Sequence, residues 1–205
     1  LTLRLGIIFA LNMQSTIIYY WVYHTTQDKL ALGLVGLAEV IPAIGFSFFS
    51  GHFVDNNEKR RLVFLCLTGY IMLAMGLFSL ALPATGAMLG QDMLVNFIYF
   101  FVFIGGMLRS FYSPSMFSLF GMVVPRFHYA GATSWSSMAW HAGAVLGPLA
   151  AGFFIAWKGI AFSLFSVFCL LIVLLIPLFS IAVKPILKKI KEPVLQSVTE
   201  GLRFV

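Results

Sequence analysis

The chain has 205 residues, of which 60% are apolar and only 10% are charged, with a net charge of +6. Soluble domains hold about 45–50% apolar and about 25% charged residues, so this composition excludes an ordinary water-soluble globule. The two cysteines, Cys66 and Cys169, lie far apart in apolar runs and lack the spacing of a metal site or a redox pair. We interpret both as small buried hydrophobic residues.

The apolar runs predict an all-α membrane protein. A helix that crosses a bilayer needs about 20 mostly apolar residues, and a transmembrane β-barrel would instead alternate in polarity over about ten residues. No such alternation interrupts the long runs. The predicted spans are six, near Gly6–Tyr23, Leu30–Gly51, Leu62–Leu82, Met93–Ser113, Ala132–Trp157 and Gly159–Ile181.

The basic residues predict the orientation of these helices. Most of them fall on one side, at Arg4, Lys59, Arg60, Arg61, Arg126, Lys184, Lys188, Lys189, Lys191 and Arg203, against Lys29 and Lys158 on the other. Cytoplasmic loops carry the excess of Lys and Arg. We therefore expect an inner-membrane protein with both ends of this chain in the cytoplasm.

The loop between the second and third spans carries the first family motif. It reads Gly51-His-Phe-Val-Asp55-Asn-Asn-Glu-Lys59-Arg60-Arg61 and resembles the Gly-x-x-x-Asp-Arg-x-Gly-Arg-Arg signature of the major facilitator superfamily. The matching positions are Gly51, Asp55, Lys59 and Arg60; Asn56 and Glu58 depart from the signature. The resemblance implies a conformational-switch loop, and a glycine at the end of the second helix should let a neighbouring helix approach closely.

A second motif lies in the fifth span. Gly143, Gly147, Pro148 and Gly152, with Ala151 between them, resemble the Gly-x-x-x-Gly-Pro-x-x-Gly-Gly pattern of the antiporter branches of that superfamily. Small residues four apart form a strip on which another helix can move, and proline bends a helix. The alternative is that the strip only packs two helices.

Three further stretches are similar to bacterial multidrug, macrolide and siderophore exporters of the superfamily. They are Leu32–Pro42, Arg109–Pro114 and Thr199–Val205. Such transporters have twelve helices in two halves, with the substrate site between them. The resemblance therefore implies that residues 1–182 form the N-terminal six-helix half. Residues 183–205 would be a cytoplasmic amphipathic linker that leads to an absent C-terminal half of the same polypeptide.

Charged residues inside the spans are candidates for proton coupling. An ionised side chain in the membrane centre costs about 2.5–3.5 kcal/mol on insertion scales, so Glu39 and Arg109 each need a reason to be there. Glu39 could load and release a proton, or it could form a fixed ion pair or an interhelix hydrogen bond. Arg109 matches the superfamily's arginine of helix four, and the alternatives are a structural pair or a side chain that extends to the membrane surface. His141 could titrate near neutral pH or serve in packing.

The first helix presents polar and aromatic residues on one face. In the superfamily, helices one and four line the cavity, so the resemblance makes this face and two residues of the fourth span candidate substrate contacts. These candidates are Asn12, Ser15, Thr16, Tyr19, Asn96 and Tyr112. Hydrogen bonding within the half bundle is the alternative, and Gln14 lies off the predicted face.

The resulting functional hypothesis is proton-coupled efflux of an amphipathic small molecule, drug-like or siderophore-like, by alternating access. An uptake carrier or facilitator of the same fold is the alternative, and a receptor or scaffold that does not transport is a remote one. A membrane enzyme is not expected, since the four histidines are scattered. No cofactor, metal or nucleic acid is implied. The expected partners are the lipid bilayer, the substrate, protons and the C-terminal half.

Overall fold

In a computed structural model, residues 2–83, 85 and 89–179 can be described, and every regular element among them is helical. The helices are α1 (Thr2–Thr26), α2 (Lys29–Asn56), α3 (Lys59–Leu80), α4 (Gln91–Val123), α5 (Tyr129–Val173) and α6 (Leu175–Phe179), with a 3₁₀ turn at Arg126–His128. The expectation of an all-helical membrane bundle is confirmed. The predicted linker, residues 183–205, and its boundary lie outside the described residues.

Five helical segments are long and apolar enough to cross a membrane. Four of them lie within α1 to α4, and the fifth, Gly131–Phe179, joins most of α5 to α6. Helix α5 is in fact two helices joined at Gly159, whose backbone has φ 82° and ψ −175°. The rings of Phe154 and Phe162 lie 5.9 Å apart across this point, whereas eight residues of straight helix span about 12 Å. The chain therefore reverses at Gly159, where glycine tolerates a positive φ. This turn separates the fifth and sixth predicted spans.

The fourth helix is longer than expected. The predicted span ends near Ser113, but α4 runs through Pro114 to Val123. The apolar run continues to that residue, and in a membrane the helix satisfies its own backbone polar groups. The prediction of its end was wrong, and Arg109 accordingly lies about 14 residues, or roughly 21 Å, from the end of the helix.

The helices form two closely packed pairs. The most extensive contacts join α1 to α5 and α2 to α4, and α3 packs on both α4 and α5, while α1 and α2 touch only lightly. The core lies mainly around α1 and α3, with Ile7, Ile17 and Leu67 among its fully buried members. The light contact between the two pairs leaves room for clefts beside α1.

Local features set the helix ends. Asp28 caps α2, its Oδ1 accepting a hydrogen bond of 2.9 Å from the Leu30 backbone N–H. A side-chain acceptor at this position satisfies an N–H group that otherwise lacks a partner. At the other end of α2, the turn to α3 contains only Asn57 and Glu58 outside the helices.

Candidate functional site

An ion pair joins the middle of α2 to α4. The Arg109 Nη1 donates to the Glu39 Oε1, and no second ion pair is found within residues 2–83, 85 and 89–179. The Glu39 side chain is 22% exposed and that of Arg109 is 59% exposed. The structure thus brings together the two intramembrane charges that the sequence singled out.

Gly106 sets the distance between these two helices. A Cβ atom at Gly106 would lie 2.2 Å from the Glu39 carbonyl oxygen and 2.8 Å from the Pro42 Cγ. The backbone of α4 therefore touches that of α2 three residues before Arg109, the spacing that puts two side chains on neighbouring positions of a helix face. The sequence reasoning missed this contact, although the Gly105-Gly106 pair in an apolar helix was a usable signal.

Arg109 lines three adjoining clefts. The ion-pair cleft lies between α1, α2, α3 and α4 and is lined by Leu11, Gln14, Ser15, Ile18, Tyr19, Val35, Glu39, Tyr70, Phe101, Val102, Gly105 and Arg109. The α5 cleft, of about 180 Å³, is lined by Arg4, Ile8, Leu11, Asn12, Ser15, Arg109, Tyr112, Ser113, Met116, Phe117 and Trp140. The α2–α4 cleft is lined by Ala43, Ser47, Ser50, Gly51, Arg109, Ser110, Ser113 and Pro114. A movement of this one side chain would alter all three.

Helix α1 supplies part of the predicted cavity face. Ser15 lines two clefts, Tyr19 lines the ion-pair cleft and Asn12 lines the α5 cleft. Thr16 lines none of the three, and its hydroxyl donates to the Asn12 carbonyl at 2.9 Å within the same helix. Asn12 likewise donates from Nδ2 to a carbonyl of α1, at 2.8 Å.

Gln14 was missed as a cleft residue. It lies on the ion-pair cleft, is only 8% exposed, and its buried Oε1 has no hydrogen-bond partner. The face of α1 that borders the clefts is thus rotated from Thr16 towards Gln14. The spacing of polar residues along α1 predicted that Thr16 faces the cavity, but its hydroxyl forms its hydrogen bond within the helix.

The remaining polar candidates divide between the cleft and the surface. Tyr112 lines the α5 cleft, is 7% exposed and packs edge-on against Tyr70 with ring centroids 6.1 Å apart. Asn96 is exposed and lines none of the three clefts. His141 is also exposed and outside them, with its ring 5.0 Å from that of Trp140.

Two glycines of the fifth-span motif contact α1. A Cβ atom at Gly143 would lie 2.8 Å from the Ile8 Cγ2, and one at Gly147 would lie 2.9 Å from the Phe9 carbonyl oxygen. Gly152 has open space at its Cβ position, so it does not take part in this contact. The helix that the strip faces is therefore α1.

Ala151 and Pro148 belong to the same motif. Ala151 is fully buried, as expected for a member of the packing strip. The backbone at Pro148 keeps helical dihedral angles, since Gly159 is the one position inside α5 that departs from them.

The loop motif is a set of helix-end contacts. The Lys59 ammonium donates to the carbonyls of Val54 and Asp55, the latter at 2.9 Å. Arg60 donates from Nη2 to the Phe179 carbonyl at 3.0 Å, which ties the start of α3 to the end of α6. Cations at carboxyl ends of helices satisfy free carbonyl groups and complement the helix dipole.

Gly51 does not lie at the end of the second helix. It lies inside α2, which continues to Asn56, and no atom lies within 4 Å of its Cβ position. Among the described residues the close approach to α2 is made at Gly106. The predicted end of the second span at Gly51 was wrong, since α2 continues to Asn56, while the close approach of another helix to Gly51 stays a prediction.

Comparison with known proteins identifies the family. A family model described as Major Facilitator Superfamily matches residues 2–203. No curated protein and no solved structure matches the chain. The match covers almost the whole chain and agrees with the helical bundle described above. The chain therefore belongs to the major facilitator superfamily and is a multi-pass membrane transporter.

Proposed function

We propose that this transporter exports an amphipathic small molecule in exchange for protons, by alternating access, with Glu39 as the residue that carries the proton. The ion pair between Glu39 and Arg109 carries this proposal. It links two helices in an apolar bundle, both of its residues line the ion-pair cleft, and Arg109 also lines the other two clefts. Intramembrane ionisable residues are costly and mark ion or substrate pathways.

The chemistry of the pair suits a proton carrier. A neighbouring cation favours the ionised form of a carboxyl group, and burial favours the neutral form. Exposure of Glu39 to one side and then the other, with Arg109 near or displaced, would load and unload a proton. Arg109 is more than half exposed, so its side chain has room to leave the carboxylate.

The clefts suit an amphipathic substrate. In the α5 cleft, hydroxyl, amide and guanidinium groups stand beside the apolar side chains of Met116, Phe117 and Trp140. Pockets that bind small molecules combine apolar walls with a few polar groups in this way. We infer that Asn12, Ser15, Tyr19 and Tyr112 contact the substrate, and that Arg109 is shared by substrate and proton. Asn96, Thr16 and His141 have no place in this proposal.

The second wall of the cavity is proposed to come from a C-terminal half of the same polypeptide, after a cytoplasmic linker. The orientation is supported by the distribution of basic residues. Arg4 and the pair Lys59 and Arg60 lie at the same end of the bundle, because Gly6, near Arg4 in α1, is in contact with Leu174 just before α6, and Arg60 at the start of α3 donates to Phe179 at the end of α6. By the positive-inside rule, this end faces the cytoplasmic side of the inner membrane.

Export, rather than uptake, is supported by the fifth-span motif and its contact with α1. Gly143 and Gly147 allow the backbones of the two helices to touch, so the antiporter-type motif forms the close helix contact that its small residues predict. An uptake carrier would use the same ion pair. The two alternatives differ in how transport responds to the direction of the proton gradient.

The test uses the full-length protein in lipid vesicles with an imposed pH gradient and a panel of amphipathic dyes that includes ethidium. We expect Glu39→Gln to abolish gradient-driven accumulation and to leave protein level and dye binding near normal. Asp92→Asn is the matched control, because Asp92 is an exposed carboxylate in the first turn of α4, outside the clefts. Accumulation at the wild-type level in Glu39→Gln, or indifference of the wild type to the gradient, would contradict the proposal.

A further inference from the structure

The side-chain oxygen of Gln14 has no hydrogen-bond donor in the cleft that the ion pair borders. Its Oε1 is inaccessible and accepts no hydrogen bond, although the residue lies on the same cleft as Glu39 and Arg109. A buried acceptor without a donor is destabilising, and such groups in native structures call for an explanation. Gln14 therefore lacks a donor in the state that the structure describes.

The ionised form of Glu39 cannot provide that donor. A carboxylate only accepts hydrogen bonds, whereas a protonated carboxyl group has one O–H donor. In the described state the carboxylate accepts from Arg109. An acceptor such as the Gln14 Oε1 becomes useful to Glu39 only once a proton has been bound.

We propose that Gln14 is a positioning residue that accepts a hydrogen bond from protonated Glu39. Glu39 then has two alternative partners, Arg109 when it is ionised and Gln14 when it is neutral. Proton binding thereby releases the Arg109 guanidinium into the three clefts that it borders. This inference rests on the proposed function, because it takes Glu39 as the residue that binds the proton.

The titratable and charged groups that face Glu39 are Tyr19 from α1, Tyr70 from α3 and Arg109 from α4, and the charges of Glu39 and Arg109 act on both tyrosine hydroxyls. Two further titratable groups, Tyr112 of α4 and Cys66 of α3, act on Tyr70. The Tyr70 hydroxyl is also buried and has no hydrogen-bond partner, and its oxygen can accept a hydrogen bond. Tyr70→Phe is therefore measured beside Gln14→Met, and a midpoint of Glu39 protonation that falls in Tyr70→Phe alone would assign the acceptor to Tyr70 and overturn the inference.

Arginine has no acceptor atom. Tyrosine hydroxyls ordinarily ionise near pH 10, so they do not titrate between about pH 5 and 9. The test therefore follows the band of the Glu39 carboxyl group itself across this window.

The test is an infrared titration of the purified full-length protein. The carbonyl stretching band of the protonated Glu39 carboxyl group is assigned by its loss in Glu39→Gln, and its intensity is followed against pH. Gln14→Met removes the acceptor and keeps a side chain of similar length and volume. Ile17→Met is the matched control, since Ile17 is a fully buried residue of α1 that lines none of the three clefts.

We expect the midpoint of this titration to fall by about one pH unit in Gln14→Met, a roughly tenfold loss of proton affinity. The sign follows because only the protonated form loses its partner. The band should also move to higher frequency, as expected for a carboxyl group without a hydrogen-bond acceptor. Ile17→Met should change neither.

Three further results would overturn the inference. One is a titration midpoint in Gln14→Met that equals the midpoint in Ile17→Met. Another is a midpoint in Gln14→Met that lies above the wild-type value. The third needs no Gln14 variant and so does not depend on its folding: a wild-type band already at the frequency of a free carboxyl group. Failure of the proposed function would be seen in a different experiment, as transport that does not respond to the proton gradient or that persists in Glu39→Gln.

Discussion

Gly106 offers the sharpest test of how the ion pair is held. In Gly106→Ala the added methyl group would lie 2.2 Å from the Glu39 carbonyl oxygen, and ordinary contacts begin near 3.4 Å. The obstacle is backbone, so no side chain can rotate away. Helices α2 and α4 must move apart by about 1 Å at the level of the pair, and overpacking of this kind costs about 1–3 kcal/mol.

The neighbouring residue provides the control for stability. A Cβ atom at Gly105 would lie 3.7 Å from the nearest atom, the Leu73 Cδ1, so Gly105→Ala meets no obstacle. Alanine is favoured over glycine inside a helix by about 0.5–1 kcal/mol. We therefore expect Gly105→Ala to be neutral or slightly stabilising. Gly106→Ala has the same gain in helix preference, but the cost of the clash with α2 exceeds it, so this variant should be destabilised.

The measurement is thermal unfolding of the purified protein in detergent. A loss of about 1–2 kcal/mol corresponds to a fall in Tm of roughly 2–8 °C for a chain of this size. Equal Tm values for the two alanine variants would refute the argument that α2 and α4 are in backbone contact at Gly106. Equal values would also mean that Gly106 is not what brings Glu39 and Arg109 together.

Other predictions concern the remaining motifs. Gly147→Ala should lower the Tm in the same assay through a clash with the α1 backbone of about 1–3 kcal/mol, whereas Gly152→Ala, with open space around it, should not; equal effects would exclude a specific α1 contact. Arg60→Ala should lose a hydrogen bond worth about 0.5–1.5 kcal/mol to the end of α6, while the exposed Arg61→Ala should not change the Tm. Asp55→Asn should insert normally but slow turnover in the vesicle assay, and unchanged turnover would mean that the loop has no switching role.

Much of the fold followed from the sequence because lipid imposes few choices. A long apolar run must be helical, so the existence and order of the spans could be predicted. Their ends were less secure, as the fourth span shows. The predicted span ended near Ser113, but α4 continues through Pro114 to Val123, because the run stays apolar beyond the proline.

The site was only partly predictable. Glu39 and Arg109 were found because charge in an apolar run is rare, and that rarity carries information without any knowledge of packing. Gln14 and Gly106 depend on how far α1 and α4 rotate about their own axes, and on which backbones touch. These are properties of pairs of helices, which the residue pattern of one helix does not determine, although the Gly105-Gly106 pair marked α4 as a helix that a neighbour could approach. Thr16 shows the converse, since a polar side chain can be satisfied by its own helix.

The division of the bundle into two helix pairs has a mechanical consequence. Because α1 and α5 adhere to each other far more than α1 does to α2, each pair should travel as a single body, and strain should collect along the seam between them. Helix α3 packs on α4 of one pair and on α5 of the other, so it should be the element about which the two pairs rotate. Spectroscopic labels on α2 and α4 should keep a constant separation during turnover. The distance between a label on α1 and one on α2 should change as the transporter alternates between its two states.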